Sequence, residues 1–280
     1  MGQTRVVRVS GFIEAVTPIV HHGDEKTGST PVLRSVAWYV PSDRDFVDLP
    51  FISGNAIRGV LRRLAFHDLI DTVGYAVDSP KLHHALFTGG VLESTDETTG
   101  VVDLAFRKRV RDAIPPLALF GTSIGNQMVP GSLKVDLAIP YCRETAHVIG
   151  GDDDERLRHD ARQFCSFVFA TRRDDIRAER DEDEQAVQML VECETFVPGT
   201  RFHHGFTLVY PSELEVSCLG HVLYLWTEQP FIGGKSGSGY GRIAFQYDPW
   251  PSADLYRQYM AEQRETIVAA LDEMAKRLGG

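Results

Sequence analysis

The chain has 280 residues, is 43% hydrophobic and 24% charged, and carries a formal net charge of −10. This is the composition of a globular protein sized for one large domain or two small ones. No run of about 18 apolar residues occurs, which excludes an expected membrane-spanning helix, and the negative charge taken alone argues against a nucleic-acid binder.

In chain order, MGQTRVVRVSG has no apolar core of a secretory signal, and Val6 stands where a myristoylation signal needs Ser or Thr. Residues 5–20 alternate and are β-branched, which predicts a long opening strand. HHGDEKTGST (21–30) reads as a polar loop, and PVLRSVAWYV (31–40) as a second strand. SGNAIRGVLRRLAFHDLI (53–70) places Ile57, Val60, Leu61, Leu64 and Leu69 at helical spacing, with Ser53 or Asn55 as the cap. Residues 71–135 are broken by Gly-Gly, Thr-Thr-Gly and Pro115-Pro116, and read as an insertion rather than a second compact domain. Residues 151–185 hold twelve acids and seven arginines, so this stretch alone supplies −5 of the net charge. It reads as a short apolar segment followed by a charged arm. Strand signals resume over 186–210, residues 212–228 are mixed and helical towards their end, GRIAFQYD is a strand, and 252–280 is one amphipathic helix capped by Ser252. The order β, β, α, insertion, β, β, α, glycine loop, β fits a ferredoxin-like β-α-β-β-α-β core with long insertions. Cys142, Cys165, Cys193 and Cys218 lack C-x-x-C spacing, so four free thiols in a reducing cytoplasm are expected.

Two stretches carry phosphate-binding chemistry. PFIGGKSGSGYGRIAF (230–245) holds five glycines between Gly233 and Gly241 around Lys235. It is not a nucleotide loop of the Gly-x4-Gly-Lys-Ser type: Gln229 occupies the first glycine position, and a strand follows where a helix is required. Nor does its spacing match G-x-G-x-x-G. What remains is either a loop rich in glycine because the chain turns sharply, or one whose amides and Lys235 approach the phosphates of a polyanion. Upstream, the turn Ser53-Gly54-Asn55 opens the helix. A helix N-terminus binds anions, and Arg58 and Arg62, four apart, extend that positive site. The alternative there is a capped helix with solvated arginines. The cluster RKRVR (107–111) is equally read as a nucleic-acid contact or as simply solvated.

The pair of motifs, Pro50 to Arg62 and Gly233 to Gly241, resembles the signature of the RAMP superfamily of CRISPR-associated proteins. LFGTSIGNQMVPGSLKVD (119–136) and TRRDD (171–175) resemble the repeated backbone subunit of effector complexes, especially those of type IV. The resemblance implies an α+β fold: an RRM-like (ferredoxin-like) palm from about residues 3–75 and 186–248, with a finger-like insertion at 76–142, a thumb-like arm at 143–185 and a C-terminal helix at 252–280. It implies a non-catalytic subunit that polymerises along a guide RNA (crRNA). Its partners would be copies of itself, other effector subunits, and target DNA or RNA through guide pairing. RNA-binding residues implied are Ser53, Gly54, Asn55, Arg58, Arg62, Gly233, Gly234, Lys235, Ser236, Gly237, Arg172 and Arg173. No cofactor or metal is expected. Type III relatives cleave target RNA with an aspartate in a motif similar to Ser29-Thr30-Pro31-Val32-Leu33-Arg34, where this chain has Ser29. A serine is not a carboxylate base or metal ligand, which argues against cleavage. Asp24, beside His21 and His22, carries the alternative of a metal-dependent ribonuclease.

Overall fold

The computed structural model describes residues 6–90, 102–150, 153–173 and 188–279. The chain begins in β1 (Val6–Ala15), followed by a hairpin β2 (His22–Thr27) and β3 (Thr30–Leu33), and a second hairpin β4 (Ser35–Val40) and β5 (Asp45–Pro50). Then come α1 (Gly54–Val73), α2 (Pro80–Phe87), α3 (Leu104–Ala113) and α4 (Pro115–Phe120). Short strands β6 (Thr122–Ile124), β7 (Gln127–Val129), β8 (Leu133–Val135) and β9 (Ile139–Pro140) lead to α5 (Ala146–Ile149). A long hairpin, β10 (Cys165–Arg173) with β11 (Gln188–Phe196), precedes β12 (Arg201–Val209), α6 (Glu213–Glu228), β13 (Ile243–Asp248), α7 (Asp254–Glu262) and α8 (Arg264–Arg277).

The fold is α+β. The central antiparallel sheet runs β13-β1-β12-β8, with β9 also on β12. Alternation places Val9, Ile13 and Ala15 of β1, Phe202, Phe206 and Leu208 of β12, and Ile243 and Tyr247 of β13 in the core. Against them lie Ile57, Leu61, Phe66, Leu69 and Val73 of α1 and Leu219, Val222, Leu223 and Trp226 of α6. Sheet strands and these two helices follow in the order β1, α1, β8, β12, α6, β13. This is the β-α-β-β-α-β connection, with the last strand beside the first. Both helices are capped as their sequences dictate. Ser53 Oγ accepts from the Ala56 amide and Ser212 Oγ from the Glu215 amide, while α1 stops at Gly74 in the left-handed region (φ 61).

Several elements depart from the sequence reading. Within the segment 76–142, Leu82, Leu86, Phe106, Val110, Leu117 and Phe120 join the main core. Its β8 supplies the outer strand of the central sheet beside β12, although the resemblance implies a core drawn from about 3–75 and 186–248 alone. β11, at the start of the second range, pairs with β10 instead. Three-residue strands such as β8 carry too little alternation to announce themselves. A small satellite core of Leu49, Ile139, Cys142 and Ala161 joins the β4–β5 hairpin to the chain around α5. Residues 21–30 form the β2–β3 hairpin, turning at Gly28 (φ 63), instead of a loop. It is held to β11 by Glu194, whose Oε2 accepts from the Leu33 amide at 2.8 Å and whose carbonyl accepts from His22 Nε2 at 2.8 Å. The segment 212–228 is helical throughout. The expected single C-terminal helix breaks at Gln263, because α7 buries Tyr256 and Met260 beside α6 whereas α8 buries Ile267, Leu271 and Met274 beside α3.

Candidate functional site

The glycine loop returns from α6 to β13 over the edge of the palm. It is pinned by amide–carbonyl bonds Ile232 to Gly241 (2.9 Å), Gly234 to Val20 (2.8 Å) and Gly241 to Pro18 (2.8 Å). A single 3-10 turn, Ser236–Ser238, forms its tip. Its glycines separate into two kinds. A Cβ on Gly233 would lie 2.3 Å from the Val20 carbonyl oxygen, and one on Gly241 2.1 Å from that of Ile232; both also have positive φ. Gly239 needs its φ of 87 for the turn. These three are demanded by folding. Gly234 and Gly237 are not: neither has a positive φ, a Cβ on Gly234 meets only ordinary van der Waals contact, and one on Gly237 meets nothing within 4 Å.

Facing the loop is one flank of α1. Two adjoining recesses, of ≈ 480 and ≈ 410 Å³, lie between them and share Val60, Arg63 and Gly233. The recess at the start of α1 is lined by Asn55, Ala56, Gly59, Gly234, His21 and His22, and the other by Leu64, His67, Gln229, Phe231, Ser236 and Gly237. Gly59 is a third glycine without a reason in the fold: it sits inside a helix, where a Cβ meets only the Arg63 guanidinium at 3.4 Å. From Asn55 to His67 the groove follows α1 for roughly 18 Å at 1.5 Å per residue. Among the described residues, no Asp or Glu lines either recess.

The groove's polar equipment is backbone and a few side chains. Lys235 is left-handed (φ 59, ψ 26), and the amides of Lys235, Ser236 and Gly237 have no acceptor within the described residues. Consecutive free amides around a left-handed residue form an anion-binding concavity. Lys235 Nζ donates to Cys193 Sγ at 3.2 Å, tying the loop to β11. At the helix start, the Ser53 amide donates to His21 Nε2 at 3.0 Å. Burial, reinforced by Arg34 and His22, pushes the His21 pKa down to about 4, so it is a neutral acceptor there. Gly54 is buried, with the Val135 carbonyl oxygen 2.4 Å from where its Cβ would be, which leaves Asn55 as the residue of this turn that opens on the groove.

Asn55 and, far along the chain, Gly233, Gly234, Ser236 and Gly237 thus line one groove, whereas Ser53, Gly54 and Lys235 line neither recess. Arg58 and Arg62 line neither, and their assignment to phosphate is corrected. Arg62 is 6% exposed and donates to the carbonyls of Leu86 (3.2 Å), Phe120 (2.9 Å) and Gly121 (2.8 Å), while Arg58 donates to those of Leu133 (2.9 Å) and Phe120. These carbonyls include the C-terminal ends of α2 and α4, whose orphan acceptors and negative dipole ends the two guanidiniums satisfy. Burial lowers both pKa values, that of Arg62 to about 10. The groove's arginine is instead Arg63, one residue on. Its sequence signal is the stripe Ala56, Gly59, Val60, Arg63, His67, an interior-helix glycine on an otherwise ordinary face.

Lys108, Arg109 and Arg111 of the basic cluster 107–111 are also paired within the chain. Lys108 pairs with Asp112, Arg109 with Glu273 (2.6 Å), and Arg111 with Glu215 (3.0 Å) and the Pro130 carbonyl (2.8 Å). Arg172 and Arg173 lie in β10, opposite Met189 and Gln188; the following acids of TRRDD fall outside the described residues. Ser29 is exposed in the β2–β3 turn and Asp24 is exposed on β2. Among the described residues no group of three or more His, Cys, Asp or Glu side chains is placed to hold a metal, and no helix is long and apolar enough to cross a membrane.

No family model matches the sequence, and no curated protein matches it. The fold is shared with a solved chain of a "Type IV-B CRISPR Complex", with a TM-score of 0.62 at 22% identity, over 90% of this chain and 98% of that one.

Proposed function

We propose that the groove between α1 and the glycine loop holds single-stranded RNA, and that the chain is a repeated crRNA-binding backbone subunit of a type IV-like CRISPR effector ribonucleoprotein. The observation that carries this reading is the set Gly59, Gly234 and Gly237: three glycines that folding does not require, all on one acid-free groove. A ligand backbone that must come close to the protein backbone supplies the missing reason. Free amides, one arginine and shape recognise any sequence, as a guide-binding subunit must. A groove with no acid among its described lining residues also resolves the conflict between the net charge of −10 and a polyanionic ligand.

In this reading copies lie side by side along the RNA with other effector subunits, the guide pairs with target DNA or RNA, and the complex works in the cytoplasm. The β10–β11 hairpin is the thumb, with Arg172 and Arg173 on it. The subunit does not cut: where cleaving relatives have an aspartate, Ser29 offers a hydroxyl. The test is the absorbance ratio and sequencing of RNA co-purifying with the protein. CRISPR-repeat-bearing RNA is the expected result, and protein free of RNA that fails to retain added single-stranded RNA overturns the proposal. Incubating the loaded complex with complementary labelled RNA and Mg²⁺ is expected to give no regular cuts. A ladder abolished by Asp24→Ala would restore the ribonuclease reading.

A further inference from the structure

The two recesses differ in chemistry, and the difference assigns them different parts of a nucleotide. The one at the start of α1 combines small residues, Ala56, Gly59, Gly233 and Gly234, with the polar Asn55, His21, His22 and Arg63, and suits a sugar–phosphate backbone. The second is walled by Val60, Leu64, Ile232 and Phe231, with His67 and the Gln229 amide among its polar groups. Phe231 is 38% exposed and has no ring partner among the described residues, unlike its neighbours Trp226 and Phe245, which stack on each other at 4.4 Å. Its carbonyl accepts from Trp226 Nε1 at 3.3 Å, which fixes its backbone while the ring stays open to the recess. His67 is packed against Phe87 at 4.6 Å between ring centroids, so the opposite wall is held as well.

We propose that the second recess is a base pocket, in which one nucleobase of the strand held along α1 turns inward and stacks on Phe231. Gln229 faces the base edge, and Arg63, common to both recesses, spans from base to phosphate. The inference rests on the RNA reading of the groove, and continuity of the recesses through Val60, Arg63 and Gly233 argues for a base rather than an unrelated small molecule. An exposed aromatic face beside a phosphate track is the stacking platform of single-strand binders, and it tolerates every base because each has a π-face.

The experiment compares affinity of the full chain for single-stranded RNA and for an abasic ribose-phosphate strand of the same length. Wild type is expected to prefer the base-bearing strand. Phe231→Leu, which keeps an apolar side chain, is expected to reduce that preference about tenfold, with abasic affinity unchanged, and Phe231→Tyr to restore it. RNA containing 5-iodouridine should photo-crosslink to the peptide bearing Phe231, in whatever register it binds. Equal affinity of wild type for the two strands overturns the base pocket but leaves the groove. So does a preference that survives Phe231→Leu, or crosslinking confined to other peptides. Failure to bind either strand overturns the groove reading, and this inference with it.

Discussion

Gly59→Ala separates folding from binding in one substitution. Gly59 lies inside the twenty-residue helix α1, and its replacement adds a Cβ whose sole near neighbour is Arg63 Nη1 at 3.4 Å, the far end of a flexible side chain. Glycine in a helix interior costs about 0.5–1 kcal/mol relative to alanine, so the variant is expected to be more stable by that amount. In a chain of this size the midpoint of thermal unfolding rises by about 1–4 °C. The same methyl stands on the floor of the groove, between Asn55 and Arg63, where it holds a bound strand away from the wall. Losing one charge-assisted hydrogen bond in consequence costs about 1.5–3 kcal/mol, or roughly 10–150-fold in affinity. Urea unfolding measures the first effect, and fluorescence anisotropy with a labelled single-stranded RNA the second. A stabilised variant that binds RNA as well as wild type would refute the argument that a ligand accounts for the glycine. A destabilised one would show that Gly59 has a packing role after all.

Three further contrasts follow from the same groove. Gly237→Ala is expected to leave stability within about 0.5 kcal/mol and to weaken RNA binding, while Gly241→Ala, at φ 78 and 2.1 Å from a carbonyl oxygen, destabilises by about 1–3 kcal/mol or more; equal unfolding midpoints for the two would contradict the division of the glycines. Arg63→Glu is expected to cut affinity at least tenfold at low salt and to lower the slope of log K against log salt by about 1, without unfolding. Arg62→Ala, which strands the buried carbonyls of Leu86 and Gly121 and leaves that of Phe120 to Arg58, costs about 2 kcal/mol of stability or more. For His21 the folded pKa, about 4, lies below the ordinary 6.5, so the unfolded chain takes up the proton first as pH falls. Its contribution is fully present above pH 6.5 and is lost between there and about pH 4. In His21→Gln, which keeps an acceptor for the Ser53 amide, urea stability is expected to fall less steeply over that window. Part of the slope persists through His204, whose pKa burial lowers to about 3. Identical slopes for wild type and variant would remove His21 from the account.

The long periodic elements were legible. β1, β12, β13 and α1 follow directly from alternation, helical spacing and caps, and of the two glycine-bearing stretches Asn55, Gly233, Gly234, Ser236 and Gly237 lie on a common groove. The basic residues misled, because a sequence shows charge without showing what the charge faces. Arg58 and Arg62 are spent on the carbonyl ends of α2 and α4, and these helices come from a segment broken by glycine and proline that reads as an insertion. Once α2 and α4 are known to end beside α1, the i, i+4 arginine pair reads as a cap for them. Arg63 stands in the same basic run, but its place depends on Gly59 and on a loop that comes much later in the chain. β8 and β9 were invisible for a simpler reason, since two or three residues show no period.

The position of β1 governs when the protein can form at all. It is the first strand made, yet it lies inside the sheet, and both its partners are late: Val6 pairs with Val209, and Ala15 with Ile243. A nascent chain therefore carries an apolar strand unpaired while most of the remainder is synthesised, which at about 5–20 residues per second lasts on the order of ten seconds or more. Contacts of such long range also make folding slow once synthesis ends. The groove inherits the delay, because one wall is α1 and the other follows α6. The groove is thus completed only late in synthesis, and a product truncated before the glycine loop lacks one of its walls.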